Sequence, residues 1–179
     1  RIAKAARLLE IREKEGVPLS NELDSAKSLI RQIRHAISCW DLGRMEESLA
    51  AVEALYARYP KNYNVNMLYI RLLLDQKAYG KAEPIIDAAM AYYPKEGAFL
   101  KHHGDLVYLR DKRKAYEIYL KAMVATANGC THLEIKERAL EDKDELIAEA
   151  RADNDLQQAE LLVKLVGDDV DFFALRHEI

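Results

Sequence analysis

The chain has 179 residues with only 7 glycines and 4 prolines, 50% apolar and 32% charged residues, and a formal net charge of −3. So little Gly and Pro excludes an all-β fold, whose many turns need both, and the apolar fraction excludes a disordered chain. The small negative charge gives no electrostatic reason to expect nucleic acid, and the longest run free of Asp, Glu, Lys and Arg, the 12 residues Ala122–Leu133, falls far short of the roughly 20 apolar residues that span a membrane.

In chain order, Ile2, Ala5, Ala6 and Leu9 share one face of a helix predicted over 2–14. Gly16-Val17-Pro18 ends it, and Ser20 stands as N-cap of a long helix running to about Trp40. The chain then repeats. The prolines of Arg58-Tyr59-Pro60 and Tyr92-Tyr93-Pro94 are 34 residues apart, and in the blocks they define Ala82 falls opposite Ser48, Ile86 opposite Val52 and Ala89 opposite Leu55. Ala115, Tyr119 and Ala122 fill the same places in a third block after a one-residue deletion, expected in the turn. A small residue, a large apolar one four later and another three later make one helix face. Each block also breaks mid-way, at Asp41-Leu42-Gly43-Arg44, Asp75-Gln76-Lys77 and Arg110-Asp111-Lys112. The unit is helix, short turn, helix, longer turn. Past the blocks, Asn128-Gly129 reads as a stop and Thr131 as a cap. Leu133, Leu140 and Ile147 then recur every seven residues, Asp153-Asn154 interrupts, and a helix is predicted over about Leu156 to Val166, before a short apolar end with Val170, Phe172, Phe173 and Leu175.

The 34-residue unit resembles the tetratricopeptide repeat. That pattern runs as a large residue, Leu-Gly, a turn Gly, an aromatic, Ala, an aromatic, Ala and Pro. The first block keeps Ala36, Gly43, Val52 and Pro60. The second keeps Tyr79, Ala82, Ala89 and Pro94, with Ile70 in place of the close-packing glycine, and the third keeps Gly104, Ala115, Tyr119 and Ala122 but lacks the closing proline. The first aromatic is replaced throughout, by Gln32, Asn66 and Leu100, so the chain resembles a divergent member. The resemblance implies an all-α fold: a right-handed α-solenoid of helix-turn-helix repeats with capping helices at both ends, since end repeats cannot bury both faces alone. The expected organisation is an N-terminal helix and lead-in over 1–28, three repeats over 29–62, 63–96 and 97–124, and capping helices over 125–179. Residues 29–124 carry 15 basic and 11 acidic residues, whereas 125–179 carry 6 and 14, so the cap is acidic.

No catalytic or cofactor chemistry emerges from the residues. The seven glycines form no phosphate-cradling loop. Cys39 and Cys130 have neither metal-ligand spacing nor a disulfide framework, which suits a reduced, cytoplasmic protein. His102-His103 with Asp105 is the one cluster that suggests a metal, yet adjacent helical histidines point about 100° apart, so no metal site is expected. Glu141-Asp142-Lys143-Asp144-Glu145 reads as a solvated run. Arg110, Lys112, Arg113 and Lys114 form one basic turn; without aromatic interleaving it suits an ion pair to the acidic C-terminal part better than a nucleic acid.

The resemblance places function on the first helix of each repeat, which in this family lines a concave groove that holds an extended peptide or a helix. Carried over position by position, the groove comprises Ile33, Arg34, Ile37, Trp40 and Asp41 in the first block, Asn64, Met67, Leu68, Arg71, Leu74 and Asp75 in the second, and Lys101, His102, Asp105, Tyr108 and Leu109 in the third. Ile33 and Ile37 stand where the family's carboxylate clamp needs Lys and Asn, so capture of chaperone C-terminal tails is disfavoured. The expectation is a non-catalytic protein-interaction scaffold without cofactor. Its expected partner is a protein segment and not a membrane, with a nucleic acid on the 110–114 basic turn as the lesser alternative. Homodimerisation through the first helix is compatible with this, and so is occupation of the groove by the helix over 2–14. Two contexts fit: a small bacterial secretion-type chaperone, or a regulatory output module of a larger signalling protein, to which the helical start at Arg1 without Met is suited.

Overall fold

The computed structural model describes residues 21–125, 129–153 and 155–166. Among them lie eight helices and no strand: α1 (Asn21–Asp41), α2 (Met45–Arg58), α3 (Tyr63–Asp75), α4 (Tyr79–Tyr92), α5 (Gly97–Tyr108), α6 (Lys112–Ala125), α7 (Gly129–Asp153) and α8 (Leu156–Val166). The helix expected over 2–14, the Ser20 cap and the apolar end at 170–175 lie outside the described residues.

The fold is all-α and of the α-solenoid type. Three-residue turns (42–44, 76–78 and 109–111) alternate with four-residue turns (59–62 and 93–96), and connections this short make consecutive helices antiparallel neighbours. The first two short turns close in the same way. Gly43 takes φ 72° and Lys77, 34 residues on, takes φ 56°, the left-handed region that costs a residue with a Cβ about 1–2 kcal/mol. The one-residue deletion of the third block falls in the helix, not in the turn: α5 has 12 residues where α3 has 13. Thr131 is not a cap, because α7 starts two residues earlier at Gly129 and Thr131 is buried within its first turn.

The described residues divide into two compact units between Ala82 and Glu83, and the division falls inside α4. Pro84 stands beside it within that helix, and its missing N–H leaves the Gly80 carbonyl without the usual helical donor.

In the first unit α1, α2 and α3 bury Ile33, Ala36 and Cys39 against Val52 and Leu55, with Val65, Leu68, Leu72 and Leu73 beneath. Ser48 holds the small-residue place because its buried hydroxyl donates to the Ala36 carbonyl at 2.8 Å, which draws α1 and α2 together. Asn62 caps α3 by accepting from the Asn64 and Val65 amides at 3.0 and 3.2 Å. The buried Asn66, in the place of the expected aromatic, donates to the Pro60 and Asn62 carbonyls, both at 2.8 Å. It thereby fixes the entry to α3. Tyr69 packs on Tyr56 with ring centroids 5.3 Å apart and donates to Glu53 at 3.2 Å; burial, then the Glu53 charge, push its hydroxyl up to about 12.

In the second unit α5 and α6 approach so closely that a Cβ at Gly104 would lie 2.5 Å from Cε1 of Tyr119. That contact is why glycine stands there. Ala115, Tyr116, Tyr119 and Ala122 of α6 form one core with Ile135, Ala139 and Leu146 of α7 and Leu161 and Leu165 of α8.

Candidate functional site

In the first unit the outer faces of α1 and α3 enclose a concavity of about 460 Å³. Ile33, Ile37, Trp40 and Asp41 line it from α1, and Asn64, Met67, Leu68 and Arg71 from α3. Of the residues that the sequence assigns to the groove in the first two blocks, eight line this concavity, whereas Arg34 is exposed elsewhere on α1 and Leu74 and Asp75, at the end of α3, are not part of its lining. Ile33 and Leu68 form a buried apolar floor, while Ile37, Trp40 and Met67 stand half-buried above it. Trp40 is held at the rim: its indole Nε1 donates to Asp75 Oδ2 at 3.1 Å, and the Arg71 guanidinium lies 5.9 Å from its ring centroid. An aromatic fixed in this way loses little freedom when a ligand covers it. The arrangement offers apolar surface, one oriented indole, a cation and the Asn64 amide. It suits recognition rather than bond-making.

The third-block residues are placed differently. Lys101, His102, Asp105 and Tyr108 are engaged within the second unit. Lys101 pairs with Asp105 at 3.0 Å and with Glu134 of α7 at 2.8 Å. Asp105 accepts from Arg138 Nη1 at 2.8 Å and from the Tyr119 hydroxyl at 2.9 Å, with His102 Nδ1 at 3.2 Å from its other oxygen. Burial opposes the Asp105 charge, but the His102 hydrogen bond and the charges of Lys101 and Arg138 outweigh it and hold the carboxyl down at about 2. Tyr108 and Tyr116 both donate to Asp142 Oδ2, at 2.5 and 2.6 Å. Burial, then this carboxylate, raise both phenols above the ordinary tyrosine range, so they remain donors. Burial likewise opposes the Asp142 charge, and the two phenols with Lys112 overcome it and lower its carboxyl. Asp142 is therefore no part of a solvated run. His102 is buried rather than open to solvent.

The basic turn has partners as well. Lys112 bonds Asp142 at 3.4 Å and also Glu145, Arg113 meets Asp153 at 2.8 Å and Glu149 at 3.5 Å, and Arg110 meets Glu83 at 3.7 Å. Cations in the first turn of a helix oppose its dipole; the carboxylates of α7 offset this for α6. The signal for the seam was in the sequence: Glu134, Arg138, Asp142, Glu145 and Glu149 follow three- and four-residue spacing along one face of α7. Read singly, they looked like surface charge.

Residues 40–101, from the end of α1 into α5, match a family model described as Tetratricopeptide repeat. This segment, about a third of the chain, is similar to tetratricopeptide repeats. Tetratricopeptide repeats mediate protein–protein interaction, and this segment includes all of α2, α3 and α4 and the α3 wall of the concavity. No curated protein and no solved structure matches the chain. Among the described residues no helix is long and apolar enough to cross a membrane, and no group of three or more His, Cys, Asp and Glu side chains could hold a metal ion.

Proposed function

We propose that the chain is a non-catalytic scaffold whose α1/α3 concavity holds a segment of a partner protein, either extended or an amphipathic helix. One observation carries this reading: Trp40, clamped by Asp75 and flanked by Arg71, stands at the rim of an apolar concavity within the repeat. Trp and Arg are favoured anchors of binding energy, and Met67 on the opposite wall can repack around different side chains. The apolar floor favours a segment with two or three apolar residues on one side, and Arg71 favours an acidic residue at its edge. Lys101, His102, Asp105 and Tyr108 support the same function indirectly, by holding α7 in place. Lys112 and Arg113 are committed to carboxylates, so the reading gives nucleic acid no part. Free Cys39 and Cys130 suit the reducing cytoplasm, where this reading sets the protein.

The test is affinity capture from the source cell, followed by measurement of the recovered partner's purified segment by calorimetry. Trp40→Ala is expected to weaken binding by about 2 kcal/mol or more, and Arg71→Glu to weaken an acidic segment further, with the helix dichroism of both variants unchanged. Full affinity in both variants would end the concave-face reading.

A further inference from the structure

The charges of α7 between Glu134 and Glu149 fall into two sets. Glu134, Arg138, Asp142, Glu145 and Glu149 are bonded to α5 and α6. Lys136, Glu137, Lys143 and Asp144 form no ion pair among the described residues, and neither does Glu141. Apart from Glu141, the unbonded set frames a line of apolar side chains spaced by seven: Leu133, 57% exposed, Leu140, 36% exposed, and Ile147, half-buried because its inner side packs against the core of the second unit. Taking Leu140 as the centre at roughly 100° per residue, Lys136 and Lys143 lie about 40–60° to one side and Glu137 and Asp144 about 40–60° to the other. The outer face of α7 is thus an aliphatic stripe with one cationic edge and one anionic edge.

We propose that this face pairs with the same face of a second copy of the chain, the two α7 helices running parallel. The orientation follows from the edges. A two-fold axis along parallel helices sets each lysine edge against the other copy's acidic edge, Lys136 by the partner's Glu137 and Lys143 by the partner's Asp144, while Leu133, Leu140 and Ile147 meet their own counterparts. An antiparallel pair would instead set lysines beside lysines and acids beside acids. Seven-residue spacing of the stripe is the repeat of a left-handed coiled pair, and the lysine stems cover its flank while their ammonium groups reach the acids. With one aliphatic per heptad the association is weak and concentration-dependent. It leaves the α1/α3 concavity out of the contact, since all its residues lie in α7.

The full chain is tested by sedimentation equilibrium over a concentration series, with helix dichroism as the control for folding. The wild type is expected to pass from monomer to dimer, and Leu140→Glu to remain a monomer with unchanged dichroism. Lys136→Glu with Lys143→Glu makes both edges acidic and is expected to weaken the dimer at least about tenfold, since the two-fold axis doubles each substitution and four exposed charge pairs are lost. Adding Glu137→Lys and Asp144→Lys reverses both edges and restores dimerisation. A wild type that stays monomeric, a dimer indifferent to Leu140→Glu, or a fourfold exchange that fails to restore association overturns the proposal, and so does a dimer that the double Lys→Glu exchange leaves unweakened, because an antiparallel pair would only trade lysine–lysine contacts for acid–acid ones.

Discussion

Positions 34 residues apart in this chain carry opposite fates. Ile33, Met67 and Lys101 form one such series, and Ile37, Arg71 and Asp105 another. In the first unit these positions border an open apolar concavity, whereas in the second they are bonded to α7. The helix-turn-helix unit recurs, one residue shorter in α5, and the difference in these surfaces follows their side chains. An aliphatic face beside another first helix leaves a hollow, while a face with Lys101, Asp105 and Tyr108 meets a helix whose charges repeat with matching spacing. A repeat fixes where a surface is. The chemistry written on it fixes whether it is used within the chain or left for something else.

The strongest way to break the comparison is to remove the charge at the centre of the second unit. Asp105→Ala leaves Arg138 and the Tyr119 hydroxyl without their shared acceptor. It is expected to cost about 3–5 kcal/mol, seen as faster amide exchange in α5–α7 with α1–α3 little changed. Acid does the same reversibly. The Asp105 carboxyl is depressed to about 2, so its stabilisation is complete above the unfolded value of about 3.9 and is lost as pH falls toward the folded one. Tyrosine absorbance and helix dichroism followed from pH 6 downward should therefore show the second unit losing stability between about pH 4 and pH 2, and Asp105→Asn should remove part of that dependence, with Asp142, whose carboxyl is also lowered, supplying the rest. A smaller loss is expected for Gly104→Ala, whose methyl meets the Tyr119 ring; overpacking at a site with so little room costs about 1–3 kcal/mol. In the first unit, Ser48→Ala removes the bond to the Ala36 carbonyl and should cost about 1 kcal/mol in chemical denaturation. Lys77→Gly relieves the left-handed turn and should raise stability by about 0.5–1 kcal/mol in the same assay. If Asp105→Ala and Ser48→Ala perturbed both units equally, the contrast between them would fail.

The fold was legible because its signals are local and repeated. Two prolines 34 residues apart, small residues at the helix seam and a polar break in each block locate the helix pairs, and burial of Ala36, Ala82, Ala89, Ala115 and Ala122 follows from that register. The walls of the concavity came from the resemblance, which places them on the first helix of each repeat, and Ile37, Trp40 and Met67 do line it. What sequence reading lost was pairing between distant polar residues. Asp142 sits in a run of five charges and looks solvated, and only the fold brings Tyr108, 34 residues earlier, within 2.5 Å of it. Periodicity tells which face of α7 a residue occupies but not which helix that face meets. Arg138, the partner of Asp105, was missed for the same reason.

Trp40 is the only tryptophan of the chain, and its indole ends in a hydrogen bond to a carboxylate beside a guanidinium. The protein therefore carries its own optical label at a single address. Its emission answers to the state of the first unit and to whatever enters the concavity, while helix dichroism answers to every helix at once. Denaturant midpoints that differ between those two signals would separate the unfolding of one unit from the other, and a shift in emission on mixing would mark occupancy without any added dye.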